Sequence, residues 1–275
     1  MFTLNCKGRL VALEKPLVMG ILNITPDSFY QGSRIAGIDH LLERAGEMIA
    51  DGAAIIDVGA QSTRPDSTLM SMNEELDRVL PAIESLHQAF PQLLISVDTF
   101  YAAIARESVH AGASFVNDIS AGSIDEDMLP VVAALNVPFI CMHMKGTPQT
   151  MKSLAQYDDI VVDVFDYFIQ KIYACNQAGI KDIIIDPGFG FAKNIEQNFR
   201  LLRSLNSFQV LGRPVLAGLS RKSTIYKTLG VTADEALNGT TVMNTLALQQ
   251  GVSILRVHDV REAIEAIKLV ESYKK

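Results

Sequence analysis

Asp57, Asp98, Asn117 and Asp186 each stand where a short apolar run stops. Ala54-Ile-Ile precedes Asp57, Leu93-Leu-Ile-Ser-Val precedes Asp98, Phe115-Val precedes Asn117, and Ile183-Ile-Ile precedes Asp186. Ionised carboxylates accept hydrogen bonds, and an amide both donates and accepts. Together they complement a fused heterocycle with amidine-like N–H donors and a carbonyl. A carboxylate cluster around a divalent metal is the alternative, although no His-x-His or Glu-rich segment accompanies these acids.

A basic set lies near the carboxyl terminus. Arg256 and His258 are two residues apart in Ile254-Leu-Arg-Val-His, so on a strand both side chains take the same face. Guanidinium beside imidazole suits a phosphate or pyrophosphate. Asn23, ending Leu17-Val-Met-Gly-Ile-Leu, can share that anion or its Mg²⁺, an ion that keeps several waters and takes few protein ligands. Lys222, in Gly218-Leu-Ser-Arg-Lys-Ser223, is either a Schiff-base nucleophile or a cationic hydrogen-bond donor. Its place in a polar run after the apolar stretch favours the second role. Phe139-Ile-Cys-Met runs into His143; Met142 reads as pocket wall and His143 as structural. The chain has no Walker loop, Gly-x-Gly-x-x-Gly fingerprint or Ser-His-Asp order.

These polar endings require a fold that gathers strand ends. Between the apolar runs lie segments of helical period, such as Ile38, Leu41, Leu42, Ala45, Met48 and Ile49, or Leu76, Val79, Leu80, Ile83 and Leu86 around Pro81. Residues 160–178 and 194–208 read as longer helices. Thr232 with Glu235 and Asp259 with Glu262 mark two helix starts. Glycine follows a helix and precedes a strand at Gly52, Gly112, Gly179 and Gly251, the expected αβ turns. Eight strand–helix units predict a closed parallel (β/α)8 TIM barrel, for which about 250 residues are usual. A doubly wound open sheet is the competing layout. The 275 residues read as one domain, with residues 1–16 as a short hairpin-like extension across the barrel bottom. Catalytic groups of such barrels sit at the carboxyl ends of the strands. The loops Ile24–Arg34 and Gln61–Thr68 then read as mobile covers of the site.

The net charge of −7 argues against a general nucleic-acid or anionic-membrane surface, so an anionic ligand needs local cations such as Arg64, Lys222, Arg256 and His258. No apolar stretch reaches the roughly 20 residues of a bilayer span. Cys6, Cys141 and Cys175 form no Cys-x-x-Cys pair, which fits a reduced, cytoplasmic protein.

Seven segments, in order between about residues 17 and 260, resemble dihydropteroate synthases. They are Met19-Gly-Ile-Leu-Asn-Ile-Thr-Pro-Asp-Ser-Phe29, Ser62-Thr-Arg-Pro65, Ser96-Val-Asp-Thr99, Val116-Asn-Asp-Ile119, Asp186-Pro-Gly-Phe-Gly-Phe191, Gly218-Leu-Ser-Arg-Lys-Ser223 and Arg256-Val-His-Asp259. The resemblance implies condensation of 6-hydroxymethyl-7,8-dihydropterin pyrophosphate with 4-aminobenzoate, giving 7,8-dihydropteroate and pyrophosphate, with Mg²⁺. It implies that Asp98, Asn117, Met142, Asp186 and Lys222 hold the pterin, and that Asn23, Thr63, Arg64, Arg256 and His258 bind pyrophosphate, Asn23 touching the metal. Phe29, Thr63, Pro65, Phe191, Lys222 and Ser223 would line the aminobenzoate pocket, where sulfonamides compete. Catalysis would fall to Asp98, Asp186, Lys222, Arg256 and His258. A homodimer through helices near the carboxyl terminus is implied as well.

Three positions depart from the family pattern: Gln31 and Gln61 stand where acids are usual, and Asp66 where glycine is. Two rivals share the pterin-binding residues. A methyltetrahydrofolate-dependent methyltransferase would need neither the Thr63-Arg64-Pro65 nor the Ser220-Arg221-Lys222 run. A non-catalytic pterin-binding paralogue would not need Arg256 and His258.

Overall fold

The computed structural model describes residues 2–24, 34–61 and 69–275. The sequence positions Phe29, Gln31, Thr63, Arg64, Pro65 and Asp66, with most of the two loops read as covers, lie outside them.

Two antiparallel strands open the chain, β1 (Phe2–Cys6) and β2 (Arg9–Leu13). Eight parallel strands follow: β3 (Leu17–Asn23), β4 (Ile55–Gly59), β5 (Leu94–Asp98), β6 (Phe115–Asp118), β7 (Phe139–Met142), β8 (Ile183–Asp186), β9 (Leu216–Ala217) and β10 (Ile254–Val257). Neighbours pair in the order β8-β7-β6-β5-β4-β3-β10-β9, and a parallel bridge from Ile185 to Val215 joins the two ends into a barrel. The helices α1 (Arg34–Ala50), α2 (Met72–Ala89), α3 (Ala102–Ala111), α4 (Met128–Leu135), α5 (Ile160–Ala178), α6 (Ile195–Arg203), α7 (Ser223–Leu229), α8 (Leu237–Gln249) and α9 (Val260–Tyr273) lie between and after the strands.

Strand parity explains where the polar endings go. Met19, Ile55, Leu94, Phe115, Ile140, Ile184, Leu216 and Ile254, one from each barrel strand, pack into a single apolar layer with Leu4, Cys6 and Leu13 of the hairpin. The extension therefore plugs the barrel bottom. Side chains alternate faces along a strand. Stepping by two from that layer reaches Asp57, Ser96 and Asp98, Asn117, Met142, Asp186 and Arg256, so all point into the barrel toward its carboxyl end. The alternate residues, including Ile56, Val58, Ile95, Val97, Val116 and Leu255, are buried against the helices.

Three local expectations change. The segment 194–208 is not one helix: α6 stops at Arg203 and a 3-10 helix runs Leu205–Leu211. Serine at 204 and Asn206 and Ser207 after it favour turns over helix interior. The side chain of Glu235 does accept from the backbone N and Oγ1 of Thr232, but α8 begins only at Leu237. Asp259 precedes α9 without capping it, because its carboxylate is taken by Arg221.

Candidate active site

Arg256 organises the barrel mouth. Its Nε donates to Asp57 Oδ2 at 2.6 Å and its Nη2 to Asp98 Oδ2 at 2.6 Å. Asp57 is fully buried, and its Oδ2 also accepts from Asn117 Nδ2 at 3.0 Å. Gly59 makes room for this cluster, since a Cβ there would lie 3.1 Å from Asp98 Cβ. Against the cost of burial, Asp57 and Asp98 hold the Arg256 guanidinium above its ordinary pKa. Burial raises Asp98 to about 7, opposed by Arg256 and reinforced by Asp57, Glu75 and Asp118. A ligand with N–H donors can replace Arg256 at Asp98 and leave the guanidinium for an anion.

Asp186 forms the opposite wall. Its Oδ1 accepts from Gly188 N at 2.8 Å, and burial raises its pKa, with Lys222 opposing. Lys222 donates to Phe189 O, and its Nζ lies 4.8 Å from the Phe191 ring centroid. Burial brings this ammonium down to about 8, against the pull of Asp186. Met142 and, partly, Phe191 belong to an apolar cluster with Phe100, Ile119, Met144, Met151 and Ala192. Ser223 opens α7 directly after Lys222. Arg221, in the left-handed region at φ 52°, is fixed by two 2.9 Å bonds to Asp259 and by Thr240 Oγ1 accepting from its backbone N.

The anion side is set by His258 and Asn23, which line one cleft of about 290 Å³. Ser220 Oγ accepts from the His258 backbone N at 3.2 Å and lies 3.0 Å from His258 Nδ1. A serine hydroxyl that donates to Nδ1 leaves Nε2–H outward as a donor. Burial, then Arg256, lowers His258 to about 4, so it is a neutral donor at pH 7. Asn23 ends β3 with an exposed side chain. Among the described residues no three His, Cys, Asp or Glu side chains gather for a metal. Asn23 offers an amide oxygen on the anion side, and a hydrated Mg²⁺ fits such a group because it takes few protein ligands.

Asp98, Asn117, Asp186, Lys222 and Arg256 meet at one mouth, as expected from their places at the strand ends. Lys193 is a further residue there that the sequence does not single out. That ammonium is buried and satisfied by Gly188 O and Phe191 O, both at 3.0 Å, and by His143 Nδ1 at 2.8 Å. Burial takes Lys193 well below its ordinary pKa, and burial with Lys193 takes His143 down to about 2. His143 thus joins Lys193 in bracing the turn after Asp186, in keeping with a structural role. The only signal was a lysine inside an otherwise apolar loop. Gln61 also gains a role: its amide spans Met70 N and O at 3.0 and 2.9 Å and donates to Glu75 Oε2 at 2.7 Å. A carboxylate at 61 could not donate to either acceptor.

Gly188 has φ +69°, and a Cβ there would sit 2.1 Å from His143 O. Gly188→Ala is expected to destabilise the protein by about 1–3 kcal/mol, as overpacking usually does. An unchanged chemical-denaturation midpoint would contradict this placement of the turn.

Fold and mouth define a (β/α)8-barrel enzyme with a carboxylate–amide pocket on one side and anion donors on the other. A family model described as pterin binding enzyme matches residues 19–258. A dihydropteroate synthase of Escherichia coli strain K12 is 43% identical over 271 residues, covering 98% of this chain and 95% of its own. The Yersinia pestis dihydropteroate synthase, solved as a sulfonamide drug complex, superposes with TM-score 0.93 at 40% identity, covering 99% of each chain. The Xanthomonas albilineans enzyme in complex with 7,8-dihydropteroate gives 0.88 at 36%, covering 99% of this chain and 98% of its own. The chain belongs to the pterin-binding enzyme family, among its dihydropteroate synthases.

Proposed function

We propose that this protein is a transferase of folate biosynthesis that joins 6-hydroxymethyl-7,8-dihydropterin pyrophosphate to 4-aminobenzoate, forming 7,8-dihydropteroate and pyrophosphate. The observation that carries the reading is the division of the mouth into Asp98, Asn117 and Asp186 on one side and Arg256, His258 and Asn23 on the other. The first set receives the pterin ring with Met142 as wall and Lys222 as donor. The second receives the pyrophosphate. Thr63 and Arg64 extend that side, and Phe29, Thr63, Pro65, Phe191, Lys222 and Ser223 form the aminobenzoate pocket, in which sulfonamides compete.

The C–O bond to the leaving pyrophosphate breaks at a methylene conjugated to the ring, so positive charge spreads into the pterin. Carboxylates at Asp98 and Asp186 stabilise that charge, and Arg256 and the Nε2–H of His258 stabilise the departing anion. Fixed groups of this kind supply several kcal/mol each because they need no reorganisation. The neutral aniline nitrogen attacks the methylene and then loses a proton. Asn23 would hold Mg²⁺, whose charge would offset part of that on the leaving group.

A homodimer through α8 and α9 belongs to the same reading, supported by the exposed Val242, Leu246, Leu269 and Tyr273 on those helices. Cytoplasmic placement is supported by the free, buried Cys6, Cys141 and Cys175. Among the described residues no helix is long and apolar enough to cross a membrane.

The test is formation of dihydropteroate by purified protein supplied with both substrates and Mg²⁺; no product would sink the reading. The pH profile probes the site further. Asp98 must be ionised, so kcat/KM is expected to rise with pH through about 7. Lys222 must be protonated, so it is expected to fall above about 8, leaving a narrow bell for the free enzyme. A flat profile from about pH 6 to about pH 9 would contradict these two roles.

A further inference from the structure

Asp57, read from the sequence beside the other strand-end acids as a ligand group, instead joins the two halves of the mouth through Asn117 and Arg256. It is fully buried in β4, its Oδ2 accepts from Asn117 Nδ2 at 3.0 Å and Arg256 Nε at 2.6 Å, and its Oδ1 has no partner among the described residues. We propose that Asp57 is a positioning residue with two effects: it aims the carbonyl oxygen of Asn117 at the pterin, and it tempers Arg256 so that pyrophosphate can leave. The inference rests on the pterin pyrophosphate reading of the site.

The first effect follows from hydrogen-bond polarity. An asparagine amide offers N–H donors at one end and an acceptor oxygen at the other. Asn117 is 4% exposed and commits its nitrogen to Asp57. Flipping the amide would set its oxygen against the carboxylate and strip Asp57 of a donor, an expensive loss at a buried group. The Asn117 oxygen therefore faces away from Asp57 as an acceptor, suited to a ring N–H. A site that commits its polarity in this way rejects a ring with an acceptor at that place.

The second effect is Coulombic. Arg256 spans two carboxylates, and one of them, Asp98, also serves the pterin. When the pterin takes Asp98, Asp57 remains bonded to Nε and keeps the guanidinium in place. An anion approaching Arg256 from the other side also feels the negative charge of Asp57, and that repulsion is screened less than at the surface because Asp57 is buried and Arg256 mostly so. Asp57 thus fixes where Arg256 points while lowering its hold on the product.

Isothermal titration with 6-hydroxymethylpterin, and separately with inorganic pyrophosphate plus Mg²⁺, tests both effects. Asp57→Asn keeps an oxygen for Asn117 and removes the charge. Pterin affinity is then expected to stay within about threefold, while pyrophosphate binding tightens by about fivefold or more. Asp57→Ala frees the amide, so pterin binding is expected to weaken by about tenfold, with no further loss when made in an Asn117→Ala background. Pyrophosphate binding that is unchanged or weaker in Asp57→Asn would overturn the tempering role. An alanine effect on pterin that is equal with and without Asn117 would overturn the aiming role. If Asp57→Ala does not fold, a large pterin loss in the folded Asp57→Asn variant overturns the aiming role instead. A wild-type protein that binds neither probe would refute the pterin pyrophosphate reading itself, which is a different failure.

Discussion

Arg256→Ala is expected to cost the protein its hold on pyrophosphate and a large part of its stability. The substitution leaves Asp57 and Asp98 facing each other in the barrel without the cation that both now accept from. Breaking a buried ion pair by removing one partner costs about 3–5 kcal/mol, because the remaining charge stays desolvated. The pH dependence has a definite sign. Burial already raises Asp98 while Arg256 opposes it, so without Arg256 the Asp98 carboxyl is raised further and the folded variant holds a proton that the unfolded chain gives up. Its stability is fully present at acid pH and lost as pH rises, so the deficit against wild type widens from about pH 4 upward, above the ordinary carboxylate range. Thermal melting across pH reads this directly. Pyrophosphate affinity is expected to fall roughly 10- to 100-fold, the worth of a hydrogen bond to a charged group. Unchanged melting and unchanged pyrophosphate binding would together remove Arg256 from the centre of the site.

Asp186→Asn isolates the charge at the other wall. An asparagine oxygen can still accept from Gly188 N, so the turn keeps its bond and the fold is expected to change by less than about 1 kcal/mol. What is lost is the carboxylate opposite the ring that becomes cationic. Removing one fixed electrostatic group from a site of this kind costs about 100- to 1000-fold in rate, so kcat/KM is expected to fall by that factor. Melting temperature and steady-state kinetics separate the two effects. A kcat/KM within about tenfold of wild type would mean that Asp186 contributes no charge stabilisation.

The barrel and most of the mouth were legible because strand parity is a local property. Once Ile55, Leu94, Phe115, Ile184 and Ile254 lie in the bottom layer, two-residue steps aim Asp57, Asp98, Asn117, Asp186 and Arg256 into one interior. Which of these touch was not legible. The bond from Arg256 to Asp57 joins residues 199 apart in sequence, and its geometry depends on β10 pairing with β3, which in turn pairs with β4. Arg256 was therefore readable as an anion donor, while its present engagement with two carboxylates was not. Lys193 lies in a loop with no period; two of its partners are carbonyls that any sequence would supply, and the third, His143, is 50 residues away. The reading of Asp259 as a helix cap used a local rule, and a distant arginine prevailed. Bidentate guanidinium–carboxylate pairing is stronger than a single backbone N–H.

Release of pyrophosphate by the purified protein is the most direct measurement of the central claim, that one mouth holds both a pterin and its leaving group. With pterin pyrophosphate, Mg²⁺ and 4-aminobenzoate all present, the expected result is pyrophosphate released in equal amount to dihydropteroate. A sulfonamide is expected to compete against 4-aminobenzoate alone. Pterin pyrophosphate that binds but releases no pyrophosphate, whatever the 4-aminobenzoate concentration, would contradict the account and leave a pterin-binding barrel without the transfer reaction.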